Sequence, residues 1–209
     1  MELSQYGDPA RRVGEQWHLP DVAADQSDKQ RTFRLVQEMN ELGNTDWGRC
    51  QELLRELLPA DSAVPGVHTP INIEYASNVR VGEHSFFNFG TTLLAQAPIT
   101  FGEHTKVGPG CSFITVGHPV HDHRMRAGGW EQAHPITVGD NCWFGANVTV
   151  LPGVVIGNNC VVGAGAVVAR DVPDNSLVLG VPGRVVRTLD PSDTRERAEL
   201  DGPVDGYFA

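Results

Sequence analysis

Between Ile136 and Val186 an apolar residue, followed mostly by a small one, returns every six positions: Val138-Gly139, Phe144-Gly145, Val150-Leu151, Ile156-Gly157, Val162-Gly163 and Val168-Ala169. Four places after each stands a small or branched residue: Cys142, Val148, Val154, Cys160, Ala166 and Val172. Neither the helical period nor strand alternation produces a period of six. A hexapeptide that supplies one short strand and one corner does. Three such units close a triangular turn of about 18 residues, and turns stack at strand-pairing distance, roughly 4.8 Å. The pattern therefore predicts a mainly β chain, a parallel β-helix with the first-position residues pointing inward. Glycine and asparagine, as in Gly157-Asn158-Asn159, suit corners that need positive φ. Fainter repeats precede this run, at Phe101-Gly102 and Val107-Gly108 and around Val81, Phe87, Leu93 and Ile99. The hand of the coil does not follow from the pattern.

Ahead of the repeat the period is helical. Ser27 with Gln30 has the form of a capping box, and Phe33, Val36, Met39 and Leu42 then recur on one face up to Gly43-Asn44. A second helix is predicted from about Asp46 to Leu58, with Trp47, Cys50, Leu53, Leu54 and Leu57 as its apolar stripe and Pro59 past its end. The expected organisation is a helical region over 1–66, a β-helix over 67–187 and a tail over 188–209. The end coils of a β-helix are open sheet edges, so the helical hairpin and the tail are candidate caps.

Composition excludes several classes. The net charge is −10, with no cluster of lysine and arginine, so a nucleic-acid-binding face is not expected. No apolar run approaches the roughly 20 residues of a membrane span, and residues 1–20 lack the apolar core of a signal peptide; a cytoplasmic protein is expected. Cys50, Cys111, Cys142 and Cys160 form no CxxC pair and are expected as free thiols. Cys142 and Cys160 stand 18 residues apart, which stacks them one turn apart inside the prism.

The repeat breaks after Gly117. His118 to His134 cannot fit the hexapeptide template and read as a loop thrown out of a rigid scaffold, where chemistry is commonly carried. With "NFG" at 88–90, "TVGHPVH" at 115–121, "PITVGDNCWFGANVTVLPGVVIG" at 135–157 and "VVGAGAVVARDVPDNSLVLGVPGRVVR" at 161–187, the chain resembles the maltose, galactoside and nodulation-factor O-acetyltransferases. The likeness runs from about Asp28 to Arg187. It implies a left-handed β-helix, a homotrimer with sites between subunits, and acetyl transfer from acetyl-CoA to a hydroxyl of a sugar or other small acceptor, with no metal.

The resemblance also carries residues. His118 matches the family's general base, a role a neutral imidazole performs at physiological pH. Asn88 matches an asparagine at the reacting centre, where an amide stabilises developing negative charge. Trp143 matches a tryptophan near the donor and acceptor tunnel. The CoA positions fall on Ala146, Ala164, Ala169, Arg170, Arg184 and Arg187, the arginines suiting phosphates; relatives commonly have threonine-lysine at 169–170. On the acceptor side Glu74, Asn88 and Gln96 occupy family substrate positions, and the chain departs from the pattern there. Ala95 and Gln96 stand where an acidic residue is expected, and an N-terminal acidic position falls among Trp17, His18 and Leu19. Acetylation of an amine or antibiotic on the same scaffold is the nearest alternative. A zinc enzyme of the γ-carbonic-anhydrase type, using His84, His118 and His123, is a more distant one. His121, His123 and His134 otherwise read as solvated loop residues.

Overall fold

The structure, a computed structural model, describes residues 17–20 and 26–193. From Gly66 onward the chain winds into a parallel β-solenoid with three faces. The first face stacks Gly66–Val67, Phe86–Phe87, Lys106–Val107, Trp143–Phe144, Val161–Val162 and Ser176–Leu179. The second stacks Ile71–Glu74, Thr91–Leu94, Ser112–Ile114, Thr149–Val150 and Val167–Val168. The third stacks Val79–Val81, Ile99–Phe101, Ile136–Val138 and Val155–Ile156. All these pairings are parallel.

The inward positions behave as the repeat predicts. Val138, Phe144, Val150, Ile156, Val162 and Val168 are buried, and so are Cys142, Val148, Val154, Cys160, Ala166 and Val172. Phe87, Phe101, Phe113 and Phe144 form a file of edge-on rings with centroids 4.9, 4.8 and 5.2 Å apart, the geometry the aromatic quadrupole favours. The four cysteines are free and buried, and burial pushes the Cys50 and Cys111 thiols up. One corner repeats left-handed backbone at His84, His104, Asn141, Asn159 and Asn175. Its asparagines hand a side-chain hydrogen bond from turn to turn, Asn141 Nδ2 to Asn159 Oδ1 at 2.9 Å and Asn159 Nδ2 to Asn175 Oδ1 at 3.1 Å.

The turn length is not uniformly 18. Val67 pairs with Phe87, Phe87 with Val107, Val107 with Phe144, Phe144 with Val162 and Val162 with Val178, so successive turns advance 20, 20, 37, 18 and 16 residues. Every departure falls at the corner between the second and third faces. The inward residues there are separated by 8 positions (Leu93 to Phe101), 25 (Phe113 to Val138), 6 (Val150 to Ile156) and 4 (Val168 to Val172). The other two corners must keep the strands above and below in register; this one absorbs the insertions. Ile99 accordingly lines up with Val79 and Ile136, and Phe101 takes the inward slot.

Helix α1 spans Ser27–Leu42 and α2 spans Trp47–Leu57. The predicted capping box is absent: the N-cap is Gln26, without a side-chain cap, so Ser27 is already helical. Asp46 does cap α2, accepting from the Arg49 amide. The buried stripe of α1 is Thr32, Leu35, Val36 and Met39, with Phe33 half exposed, and Trp47 of α2 is likewise exposed. The hairpin covers the open edge of the first coil through amide side chains. Asn40 donates to the Ile71 carbonyl at 2.8 Å and accepts from its amide at 2.9 Å. Asn44 does the same for Thr69 at 3.1 and 3.0 Å. Each imitates a missing neighbouring strand and satisfies edge groups that would otherwise be buried unpaired. At the far end Arg184–Thr188 folds back antiparallel on Ser176–Leu179. The remainder of the predicted tail, 194–209, and most of the N-terminal segment lie outside the described residues. Among the described residues no helix is long and apolar enough to cross a membrane.

Candidate functional site

The segment predicted as an irregular loop has its own small architecture. Val116–Gly117 pairs antiparallel with Gln132–Ala133 to make a stem. A short helix α3, His123–Ala127, is capped by Asp122, which accepts from the Arg124 and Met125 amides. Met125, Trp130 and Ala133 are buried, and Arg126 Nη1 donates to the Pro119 and Val120 carbonyls at 2.6 and 3.0 Å. The excursion is therefore held rigidly enough to position a side chain.

That side chain is His118. Its ring is about half exposed, and Nδ1 lies 2.9 Å from the Trp130 carbonyl oxygen. A carbonyl only accepts, so Nδ1 carries a proton, and in the neutral ring Nε2 is the nitrogen with the lone pair. His118 lines a shallow cleft with Trp17, Val120, His121, Gln132 and Pro152. Behind it stands Glu131, which the sequence reading did not single out. Glu131 Oε1 is 3.6 Å from His118 Nε2, and its side chain is only 12% exposed. Gln96 Nε2 donates to Glu131 Oε2 at 3.0 Å, and Gln96 Oε1 is 3.2 Å from Nε2 of the fully buried His18. His18 and Glu131 also exchange two backbone hydrogen bonds, at 2.9 and 2.8 Å. No periodicity could mark Glu131 or His18, because their significance lies in contacts among positions 18, 96, 118 and 131. Both ends of the Gln96 amide are thus engaged within the protein.

The remaining candidates occupy two different edges of the prism. Asn88, Ala146 and Ala164 lie along the corner between the first and second faces, with exposed Trp143 just before it on the first face. The Asn88 Oδ1 accepts from the Phe89 amide at 2.8 Å, which leaves Nδ2 unpaired among the described residues. Arg184, in the strand that closes the first face, is exposed and among the described residues donates only to the Gly183 carbonyl, at 2.8 Å. Arg187 lies exposed in the same strand. His118, Gln96, Ala169 and Arg170 belong to the corner between the second and third faces, and Glu74 ends the adjoining strand. Glu74 is tied to Lys29 at 2.9 Å. Within one chain the two edges are separated by the second face, whose four residues Thr91–Leu94 span about 13 Å at roughly 3.3 Å per residue. The structure therefore does not bring Asn88 and His118 together in a single chain. His84 stands at the third corner, stacked on His104 at 4.8 Å. Among the described residues no three metal-capable side chains gather, so the zinc alternative has no ligand set within one chain.

Comparison with known proteins bears on this arrangement. Residues 135–170 match the bacterial transferase hexapeptide family (six repeats). The chain is 34% identical over 159 residues to the galactoside O-acetyltransferase of Escherichia coli K12, covering 76% of this chain and 78% of that one. A maltose O-acetyltransferase structure from Clostridium difficile 630 superposes with a TM-score of 0.81 at 28% identity, covering 86% of this chain and 95% of the other. A hexapeptide-repeat acetyltransferase from Vibrio cholerae, solved with acetyl-CoA, gives a TM-score of 0.77 at 32% identity, covering 86% and 96%.

Proposed function

Because the chain belongs to the hexapeptide-repeat acetyltransferases, the family of the galactoside and maltose O-acetyltransferases, we propose that it acetylates a hydroxyl of a small acceptor, a sugar first among them, from acetyl-CoA with His118 as general base. The observation that carries the assignment of His118 is its hydrogen bond: Nδ1 lies 2.9 Å from the Trp130 carbonyl oxygen, so in the neutral ring the lone pair that can take a proton is on Nε2. Acetyl-CoA brings a thioester carbonyl already activated for attack, which removes the need for a covalent enzyme intermediate. His118 Nε2 takes the acceptor's proton as the acceptor oxygen attacks, then returns it to the departing sulfur. The unpaired Nδ2 of Asn88 is suited to donate to the oxyanion. Arg170, Arg184 and Arg187 are exposed, and guanidinium groups of this kind pair with phosphate. Beside the alanines at 146 and 164, whose side chains are single methyls, the first corner offers backbone for a long ligand to lie along.

A homotrimer belongs to the same reading. Asn88 and His118 stand on different edges of one prism, so a working centre takes one edge from each of two chains, and cyclic symmetry repeats that centre three times. Complementation tests this directly. Coexpressed His118→Ala and Asn88→Ala chains should regain activity at about one site in four, since each interface draws its two halves independently. Mixed assemblies as inactive as either parent would place both residues in one chain's site. The buried, unpaired cysteines and the acetyl-CoA requirement support a cytoplasmic location.

The acceptor class is tested by following free CoA release across sugars, simple alcohols and amines, with His118→Ala as the blank. Release with hydroxyl acceptors well above the amines is expected. The reverse order would assign the chain to N-acetylation.

A further inference from the structure

We propose that Glu131 is a positioning residue for the general base, and that Gln96 and the N-terminal residue His18 hold it in place. The inference rests on His118 being that base. The hydrogen bonds run in one direction. His18 Nε2 donates to Gln96 Oε1 at 3.2 Å, and Gln96 Nε2 donates to Glu131 Oε2 at 3.0 Å. The amide orientation follows from its partner, because a carboxylate only accepts. Glu131 Oε2 is thereby occupied, and Oε1 is left 3.6 Å from His118 Nε2.

That nitrogen is the one that changes during turnover. When the acceptor's O–H bond breaks and an N–H bond forms at Nε2, the ring becomes a cation. Glu131 then faces it with a carboxylate that is nearly buried, and a partly buried charge pair is screened less than an exposed one. The carboxylate gains its attraction only while the ring is charged, so it favours the transition state over the resting enzyme. It does not take the proton, which leaves Nε2 with the departing sulfur.

The arrangement also gives meaning to the altered acceptor positions. Where an acidic residue is expected near position 96, Gln96 supplies an amide that ties down the carboxylate at 131. A second carboxylate at 96 would stand against Glu131 Oε2 and repel it. Position 18 contributes a fully buried imidazole whose backbone is bridged to Glu131. His18 therefore ties down the loop that carries the base.

The test is a double-mutant cycle. Glu131→Gln should lower kcat at least tenfold with the acetyl-CoA KM and the melting temperature near wild type, and Glu131→Asp should recover part of the loss. In a His118→Ala background the same Glu131→Gln change should cost nothing further, because its effect passes through the imidazolium. Gln96→Glu, which keeps the backbone and the side-chain length, should lower kcat in the same manner and serves if Glu131 variants fold poorly. Wild-type kcat in Glu131→Gln, with His118→Ala inactive, overturns this inference alone. An equal loss in both backgrounds does so too, since a structural defect ignores residue 118. Wild-type kcat in His118→Ala overturns the base assignment and this inference together.

Discussion

His118→Ala is expected to reduce kcat by about a hundred- to ten-thousand-fold, the usual contribution of a positioned general base, with no change in melting temperature or in the acetyl-CoA KM. The ring is half exposed, and among the described residues its hydrogen bond is to the Trp130 carbonyl. Removing it leaves that carbonyl able to accept from solvent. The substitution therefore deletes chemistry with little structural cost. The pattern of kinetic constants matters as much as the rate: a base acting only in the transition state lowers kcat and kcat/KM together. A rise in acetyl-CoA KM with kcat intact would make residue 118 a binding residue. Retention of full turnover with a good acceptor would remove the mechanism.

Phe113→Ala is expected to cost about 3–5 kcal/mol, the range for large aromatic truncations in a core. For a chain of this size that corresponds to a melting shift of roughly 6–20 °C, at about 2–4 °C per kcal/mol. Phe113 is fully buried and stands between Phe101 and Phe144, with centroids 4.8 and 5.2 Å away. The prism is slim, and each turn contributes only a few inward side chains, so the backbone ladders on both sides hold the cavity open instead of letting it collapse. Calorimetry or thermal denaturation reads the effect. A shift within a degree or two would mean that the solenoid's stability comes from its strand ladders and not from the aromatic file. Phe113 also lies in the strand that feeds the His118 excursion, so activity should decline as the coil loosens, without the kcat signature of losing the base.

The two substitutions differ in how visible they were beforehand. Phe113 lies at an inward slot, yet the upstream repeat is faint because the corner between the second and third faces changes length from turn to turn. Phe101-Gly102 is legible as a repeat position, but a constant spacing of six carries the set from Val81, Phe87 and Leu93 to Ile99, two residues short of it. His118 was visible twice, as the start of the break and within a family motif. Glu131 was visible in neither way. It lies among the polar residues of the excursion, and its neighbours at 18 and 96 are distant in sequence. Gln96, taken as an acceptor contact, proves to have its amide engaged by His18 and Glu131. Helix α1 shows a smaller failure of the same kind: Ser27 and Gln30 have cap spacing, but the backbone enters the helix one residue earlier.

The sequence alone determined the solenoid, because a period of six is imposed by the geometry of one strand and one corner and few other folds satisfy it. It also determined which residues point inward, since burial acts on each hexapeptide separately. Only the tertiary structure decided which corner tolerates insertions, how asparagine side chains close the first coil, and where the site residues lie relative to one another. Those outcomes depend on distances between turns and across a face, which no single repeat encodes. Asn88 and His118 are read as parts of one site lying between subunits, and the structure shows that the second face separates them within one chain. Glu131, 3.6 Å from His118 Nε2, is brought there by a folded loop and by Gln96, which lies between it and the buried His18.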